Sequence, residues 1–216
     1  MTISGESFKN PKLRLAILLL AAGEGSRLGG LPKALLKKEG ESLLSRFLQP
    51  IQKLNPVETI IVTGFYADAI EVEINSIRQK THSSIAIVKN PNPEEGQSSS
   101  VRLGLESLKS DYDVLLVALC DQPNIGVSEV EALLGEFNRA GSNKEIVLPM
   151  VNGSRGNPVL FSKKVIEEIL VTPGMVCRPF MDKHPELVKV FETNNQAYLL
   201  DVDTQADIQK LGLDPI

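Results

Sequence analysis

Residues 18–33 read L-L-L-A-A-G-E-G-S-R-L-G-G-L-P-K: an apolar run leads into glycines, then one arginine and one lysine. These residue types suit anion chemistry. Glycines let backbone N–H groups approach phosphate oxygens closely. Arg27 offers a planar fork and Lys33 a point charge. The carboxyl end of a strand is also where open α/β sheets bind ligands. Spacing excludes two familiar phosphate loops. A Walker A loop requires G-x-x-x-x-G-K-[ST], but Lys33 follows Pro32 and precedes Ala34, so the metal-binding hydroxyl is missing. A dinucleotide fingerprint requires G-x-G-x-x-G, and Gly23, Gly25 and Gly29 are one residue too widely spaced. The acid expected at the end of the next strand, for a ribose hydroxyl, is replaced by Thr63-Gly64-Phe65. A packing turn with two solvated basic residues is the plain alternative.

The elements that must position this loop follow from hydrophobic patterning. Apolar runs at 15–21, 59–63, 85–88, 114–119 and 146–150 read as strands buried on both faces. Helical patterns between them predict a single-domain, doubly wound, mostly parallel α/β sheet. Ser42 is an expected N-cap for a helix carrying Leu43, Leu44, Phe47, Leu48 and Ile51. Ser128-Glu129-Val130-Glu131 reads as a capping box for a helix to about residue 139, Ser98 as another N-cap, and Thr204-Gln205-Ala206-Asp207 as the opening of a last short helix. Residues 1–12 read as a flexible tail and 13–216 as one domain. The alternation weakens over 151–200, which reads as an elaboration with short strands and a helix at about 162–170.

Net charge is −4, so no global basic field favours nucleic acid. Two cysteines, Cys120 and Cys177, are too few for a disulfide framework and suit a reducing, cytoplasmic setting. Cys120 ends an apolar strand and reads as a buried thiol. The apolar run 15–22 lacks an A-x-A cleavage site and falls short of the ~20 residues a membrane span needs. His82 and His184 are isolated, which excludes a clustered zinc site and makes both plain surface residues. Ser98-Ser99-Ser100 does not form a G-x-S-x-G elbow, which disfavours hydrolase chemistry. No coiled-coil seam is visible, so a monomer is expected.

The loop, L-A-A-G-x-G-x-R-[LM]-G followed by P-K, resembles that of nucleotidyltransferases that activate sugars and small molecules with a nucleoside triphosphate. Four later stretches resemble the molybdenum cofactor cytidylyltransferase branch: Gly96-Gln97-Ser98-Ser99-Ser100-Val101-Arg102-Leu103-Gly104-Leu105, Asp121-Gln122-Pro123, Gly153-Ser154-Arg155-Gly156-Asn157-Pro158-Val159-Leu160-Phe161 and Asp201-Val202-Asp203-Thr204-Gln205-Ala206-Asp207. The likeness runs from about residue 15 to 211. It departs at Asn157, where many members have histidine; asparagine donates a hydrogen bond but does not titrate.

The resemblance implies the nucleotide-diphospho-sugar transferase fold and transfer of CMP from CTP to the phosphate of molybdopterin, releasing pyrophosphate. It implies Mg²⁺ as cofactor, and a molybdoenzyme or its maturation factor as a protein partner. Leu20, Ala21, Ala22, Gly23, Gly25 and Ser26 would cradle the triphosphate, with Ser99 and Ser100 near the base or ribose. Arg27 and Lys33 would neutralise charge on the phosphates. Asp121 would carry the metal, completed by Asp203 or Asp201. Arg155, Gly156 and Asn157 would line the acceptor side. Each has a plainer reading, since Asp121-Gln122-Pro123-Asn124 is good turn chemistry and Arg155 can be a loop charge. Guanylyl-transferring relatives tend to read L-A-G-G; the Cβ of Ala22 takes space that glycine would leave, which favours CTP over GTP. A guanylyltransferase, an enzyme activating a sugar or polyol phosphate, and a nucleotide-binding regulator without catalysis stay as alternatives.

Overall fold

A computed structural model describes residues 13–81, 84–141 and 143–214. The expected tail at 1–12 and His82 lie outside them. The first strand, β1 (Leu15–Ala21), is buried along its whole length. Its odd-numbered residues face one core and its even-numbered residues the other, because strand side chains alternate across the sheet. A hairpin of β2 (Lys37–Lys38) and β3 (Glu41–Ser42) leads into α1 (Leu43–Ile51). The Ser42 hydroxyl accepts from the Ser45 N–H, the cap expected from sequence. Then follow β4 (Glu58–Thr63), α2 (Ala67–Thr81), β5 (Ile85–Lys89), α3 (Gln97–Glu106), β6 (Val114–Leu119) and α4 (Val127–Asn138).

The remainder comprises β7 (Ile146–Val151), β8 (Ser154–Arg155), β9 (Val159–Ser162), α5 (Lys163–Val171), α6 (Cys177–Lys183), β10 (Val188–Glu192) and α7 (Gln205–Lys210). The main sheet has eight strands in the order β10-β7-β9-β6-β1-β4-β5, with β8 paired to β7. Every neighbour of β1 and β4 is parallel, and β9 runs antiparallel between β6 and β7. Residues 151–200 therefore add strands to the same sheet. Helices α1, α2 and α4 cover one face through residues such as Leu48, Ile74 and Leu133. Helices α3, α5 and α6 cover the other through Leu105, Ile166 and Phe180. This double burial is why the strands read as continuous apolar runs.

Two expected caps fall elsewhere. Helix α4 starts one residue before Ser128, with Gly126 as N-cap and the Glu129 carboxylate accepting from the Gly126 N–H at 3.0 Å. Helix α3 starts at Gln97 with Gly96 as its cap, so Ser98 lies in the first turn. In both cases a glycine supplies the cap backbone and the serine is drawn into the helix.

A third, smaller apolar cluster matters most for function. Leu28, Leu36 and Leu43, near the glycine loop, pack against Val202, Ile208 and Leu213 from the chain's end. The Val202 N–H donates to the Asp121 carbonyl at 3.1 Å, and Lys37 and Asp214 exchange backbone hydrogen bonds. These contacts lay the C-terminal segment across the carboxyl ends of β1 and β6.

Candidate active site

The loop after β1 turns sharply at Gly25, whose φ of 65° lies in the left-handed region that favours glycine. A Cβ built there would sit 2.2 Å from the Leu31 carbonyl oxygen. The Gly25 carbonyl accepts from Leu28 N–H at 2.8 Å and Gly30 N–H at 3.1 Å, which closes the turn. The Tyr66 hydroxyl donates to the Glu24 carbonyl at 2.9 Å and ties the loop to the start of α2. Lys33 opens a short 3-10 turn after Pro32, which aims its side chain back under the loop.

There the Lys33 ammonium donates to Asp121 Oδ2 at 3.0 Å and to Asp203 Oδ1 at 2.6 Å. Lys33 and Asp121 side chains are each only 18% exposed. Arg27 Nη1 reaches Asp203 Oδ2 at 3.2 Å, while the rest of its side chain stands in solvent. Burial opposes the charge on Lys33, but the Asp121 charge and the hydrogen bonds that the ammonium donates to both carboxylates prevail and raise its pKa. Asp201, nearby, has its carboxyl pKa raised by burial and then by repulsion from Asp121 and Asp203. Burial pushes the Cys120 thiol well up, so it stays protonated and inert.

Arg27, Lys33, Cys120, Asp121 and Asp203 border one cavity of about 650 Å³, whereas Asp201 lies outside its lining. Among the residues singled out from sequence, Leu20, Ala21, Ala22, Gly23, Gly25 and Ser26 line it. Arg27, Lys33, Ser100, Asp121 and Asp203 line it as well. Ser99 does not: its hydroxyl donates to the Gly96 carbonyl at 2.8 Å and accepts from Asn90 Nδ2 at 2.8 Å. Arg155, Gly156 and Asn157 also lie outside the lining. Arg155 pairs with Asp182 at 2.5 Å, the Gly156 N–H donates to the Pro149 carbonyl, and the Asn157 N–H donates to the Tyr198 carbonyl at 2.9 Å. That same carbonyl accepts from Gln122 Nε2 at 3.1 Å, so the segment after β8 is joined to the turn that carries Asp121.

Sequence reasoning missed Phe65, Tyr66, Pro93, Glu94 and Gln97, which line the far side of the cavity. The Thr63-Gly64-Phe65 stretch marked the end of a strand, and that was the available signal. It also missed Asn90, whose amide donates to both Ser99 and Ser100 hydroxyls and fixes the first turn of α3.

The site fits a metal ion that completes its shell from a ligand. Asp121 Oδ1 is buried and has no hydrogen-bond partner, and Asp203 lies across the Lys33 ammonium from it. Among the described residues no three carboxylate, histidine or cysteine side chains form a cage. One or two carboxylates plus phosphates is the donor set a hard divalent cation such as Mg²⁺ accepts.

A glycine loop at the carboxyl end of a central parallel strand, facing a lysine held between two carboxylates, defines an α/β nucleotide-handling enzyme. The chain belongs to the MobA-like NTP transferase domain family, which matches residues 17–186, and is a nucleotidyltransferase by that membership. It is 28% identical over 200 residues to nicotine blue oxidoreductase of Paenarthrobacter nicotinovorans, covering 90% of this chain and 94% of that one. It is 30% identical over 134 residues to the bifunctional protein GlmU of Mycobacterium marinum, 62% of this chain but 27% of that protein. Among solved structures, Rv0371c from Mycobacterium tuberculosis H37Rv superposes with a TM-score of 0.72 at 21% identity, covering 92% and 97% of the two chains. The 4-diphosphocytidyl-2C-methyl-D-erythritol synthase of Anaerococcus prevotii superposes at 0.71 and 17% identity, covering 93% and 95%. Both share the nucleotide-diphospho-sugar transferase fold expected from sequence. Among the described residues no helix is long and apolar enough to cross a membrane.

Proposed function

We propose that this enzyme transfers CMP from CTP to the phosphate of molybdopterin, with Mg²⁺ and with release of pyrophosphate. The observation that carries the reading is the Lys33 ammonium held between Asp121 and Asp203 beneath the glycine loop. A binding protein needs cations for phosphates; it does not need two carboxylates brought to the same point, one with a buried unpartnered oxygen.

An oxygen of the acceptor phosphate attacks the α-phosphorus, the bond from that phosphorus to the bridging oxygen breaks, and pyrophosphate leaves. The acceptor is already ionised at neutral pH, so no general base is required. The backbone N–H groups of residues 22–26 hold the triphosphate, and the exposed Arg27 guanidinium forks onto its outer oxygens. Lys33 neutralises charge that grows on the leaving group. Asp121 and Asp203 would hold Mg²⁺, which would supply charge stabilisation at the phosphates. Catalysis then rests on positioning and electrostatics.

Cytosine is favoured because Ala22 lines the cavity and is buried, with its Cβ close against Gly64 and taking the room that a glycine would leave there. The acceptor rests on the sequence likeness alone. The solved neighbours include an inositol-1-phosphate CTP transferase from T. maritima, so a polyol phosphate is the competing acceptor. The likeness to an oxidoreductase supports a second reading, a nucleotide-dependent reductase. Against it stand the glycine spacing and the absence of an acid at the end of β4.

A thermal-shift panel of CTP, GTP, UTP, ATP and NADPH, with and without Mg²⁺, tests the nucleotide. A ligand at about 100 times Kd adds ~2.7 kcal/mol, on the order of 5–10 °C for a domain of this size. The expected result is a shift with CTP and Mg²⁺, followed by pyrophosphate release when molybdopterin is added. A GTP preference transfers the assignment to the guanylyl class, and a shift with NADPH alone overturns the transferase reading.

A further inference from the structure

The geometry points to Phe65 as the stacking platform for the nucleobase, an inference that rests on the nucleotide reading above and adds to it the residue that recognises the ring. Among the described residues, five large apolar side chains are exposed: Val57, Phe65, Val72, Val171 and Val190. Phe65 is the one aromatic among them and the one that lines the cavity, and it is 42% exposed. Covering such a ring with a planar ligand would remove apolar surface from water, which favours binding there.

Topology assigns the two ends of the cavity different chemistry. Asp121 follows β6 and Phe65 follows β4, and these strands flank β1. Phe65 is thus across the glycine loop from the carboxylates, two strand spacings or about 10 Å away at sheet level. The lining cations, Arg27 and Lys33, are both tied to Asp203 at the other end. The turn before α3 and the start of that helix contribute Pro93, Glu94, Gln97 and Ser100 to the lining, and Pro93 Cβ lies 2.8 Å from where a Cβ on Gly64 would sit. A carboxylate without a neighbouring cation repels phosphate. An aromatic face beside a carboxylate, an amide and a hydroxyl suits an uncharged planar ring with donors on its edge.

The platform is rigid. Gly64 is wedged where any Cβ would lie 2.7 Å from the Ala22 carbonyl oxygen and 2.8 Å from Pro93 Cβ. This close approach fixes the end of β4 against the loop and against the start of the α3 connection. On the other side the Ala67 N–H donates to the Gly64 carbonyl at 3.2 Å, and Tyr66 is anchored to Glu24. Phe65 is therefore presented from a backbone held at both flanks, which lowers the ordering cost of binding.

Calorimetry with CTP and with inorganic tripolyphosphate, each with Mg²⁺, separates ring from phosphate recognition. Phe65→Ala is expected to weaken CTP about tenfold, the size of a lost base–aromatic stack, and to leave tripolyphosphate unchanged. Phe65→Tyr is expected to retain wild-type affinity and Phe65→Leu to behave like the alanine variant. The chain contains no tryptophan, so Phe65→Trp adds a single indole whose fluorescence should be quenched by CTP and not by tripolyphosphate. Equal CTP affinity in wild type and Phe65→Ala, or equal loss for both ligands, overturns the platform while the transferase reading stands. A wild-type protein that binds tripolyphosphate but no nucleotide overturns both.

Discussion

Lys33 and Asp121, 88 residues apart in the chain, meet at 3.0 Å with both side chains four-fifths buried. The lysine stands on the turn after the glycine loop, the aspartate at the end of β6, and Asp203 closes the contact from the C-terminal segment. Removing the lysine costs function and stability for separate reasons. Lys33→Met should lower turnover about 10²–10³-fold by removing a charge aimed at the phosphates. It should also cost about 2 kcal/mol of stability, because Asp121 and Asp203 are left facing each other. Adding Asp121→Asn should restore much of the urea midpoint without restoring turnover. A double variant as unstable as Lys33→Met would show that the pair is not coupled.

The turn at Gly25 makes a sharper structural demand. Gly25→Ala forces a left-handed φ on a residue with a Cβ and drives that Cβ into the Leu31 carbonyl. The expected cost is about 2–4 kcal/mol. Equilibrium urea unfolding reads it, and the nucleotide-induced thermal shift should vanish in the same variant. A shift retained at wild-type size would place the triphosphate elsewhere.

Arg102 does work that its place in a nucleotide-binding motif conceals. Its guanidinium donates to the carbonyls of Ile169, Leu170, Thr172 and Met175 and pairs with Glu106. It thereby caps the C-terminal end of α5 and joins that helix to α3. Arg102→Ala should cost about 1–3 kcal/mol and leave CTP affinity in the remaining folded protein unchanged. Calorimetry showing a large loss of affinity would assign the residue to the ligand instead.

Acid sensitivity is expected at the opposite end of the sheet. Asp111 takes hydrogen bonds from Lys163 and Arg14, which hold its carboxyl down at about 2. Its folded value lies below the ordinary 3.8, so the stabilisation is present above that pH and is lost as pH falls through about 2. The urea midpoint of Asp111→Asn should fall below wild type at neutral pH, and the gap should close as the pH is lowered through that window. A gap that persists at the acid end would assign the effect to something other than the carboxylate charge.

Much of this molecule was legible in its sequence because the relevant signals are local. Continuous apolar runs marked strands buried on both faces, and the periodic Leu43, Leu44, Phe47, Leu48 and Ile51 marked α1 behind its Ser42 cap. The glycine loop, with its two cations, pointed to an anion site from sequence because glycine and charge act where they stand. The serines at 98 and 128 misled for an equally local reason: a nearby glycine, Gly96 or Gly126, supplied the cap instead.

What residue types and spacing alone could not decide is which distant residues share a site; the family resemblance implied that Lys33, Asp121 and Asp203 or Asp201 do, and the fold brings Asp203 rather than Asp201 to Lys33. Asp203 lies 170 residues from Lys33. It arrives because Val202, Ile208 and Leu213 bury against Leu28 and Leu36, and burial of apolar surface acts without regard to chain separation. The same holds for Phe65. Its residue type was always visible, but its exposure on a cavity wall exists only because β4 is paired beside β1 and Gly64 lets the two ends close. The sequence determined the residues that could carry the chemistry; strand order and core packing decided which of them meet.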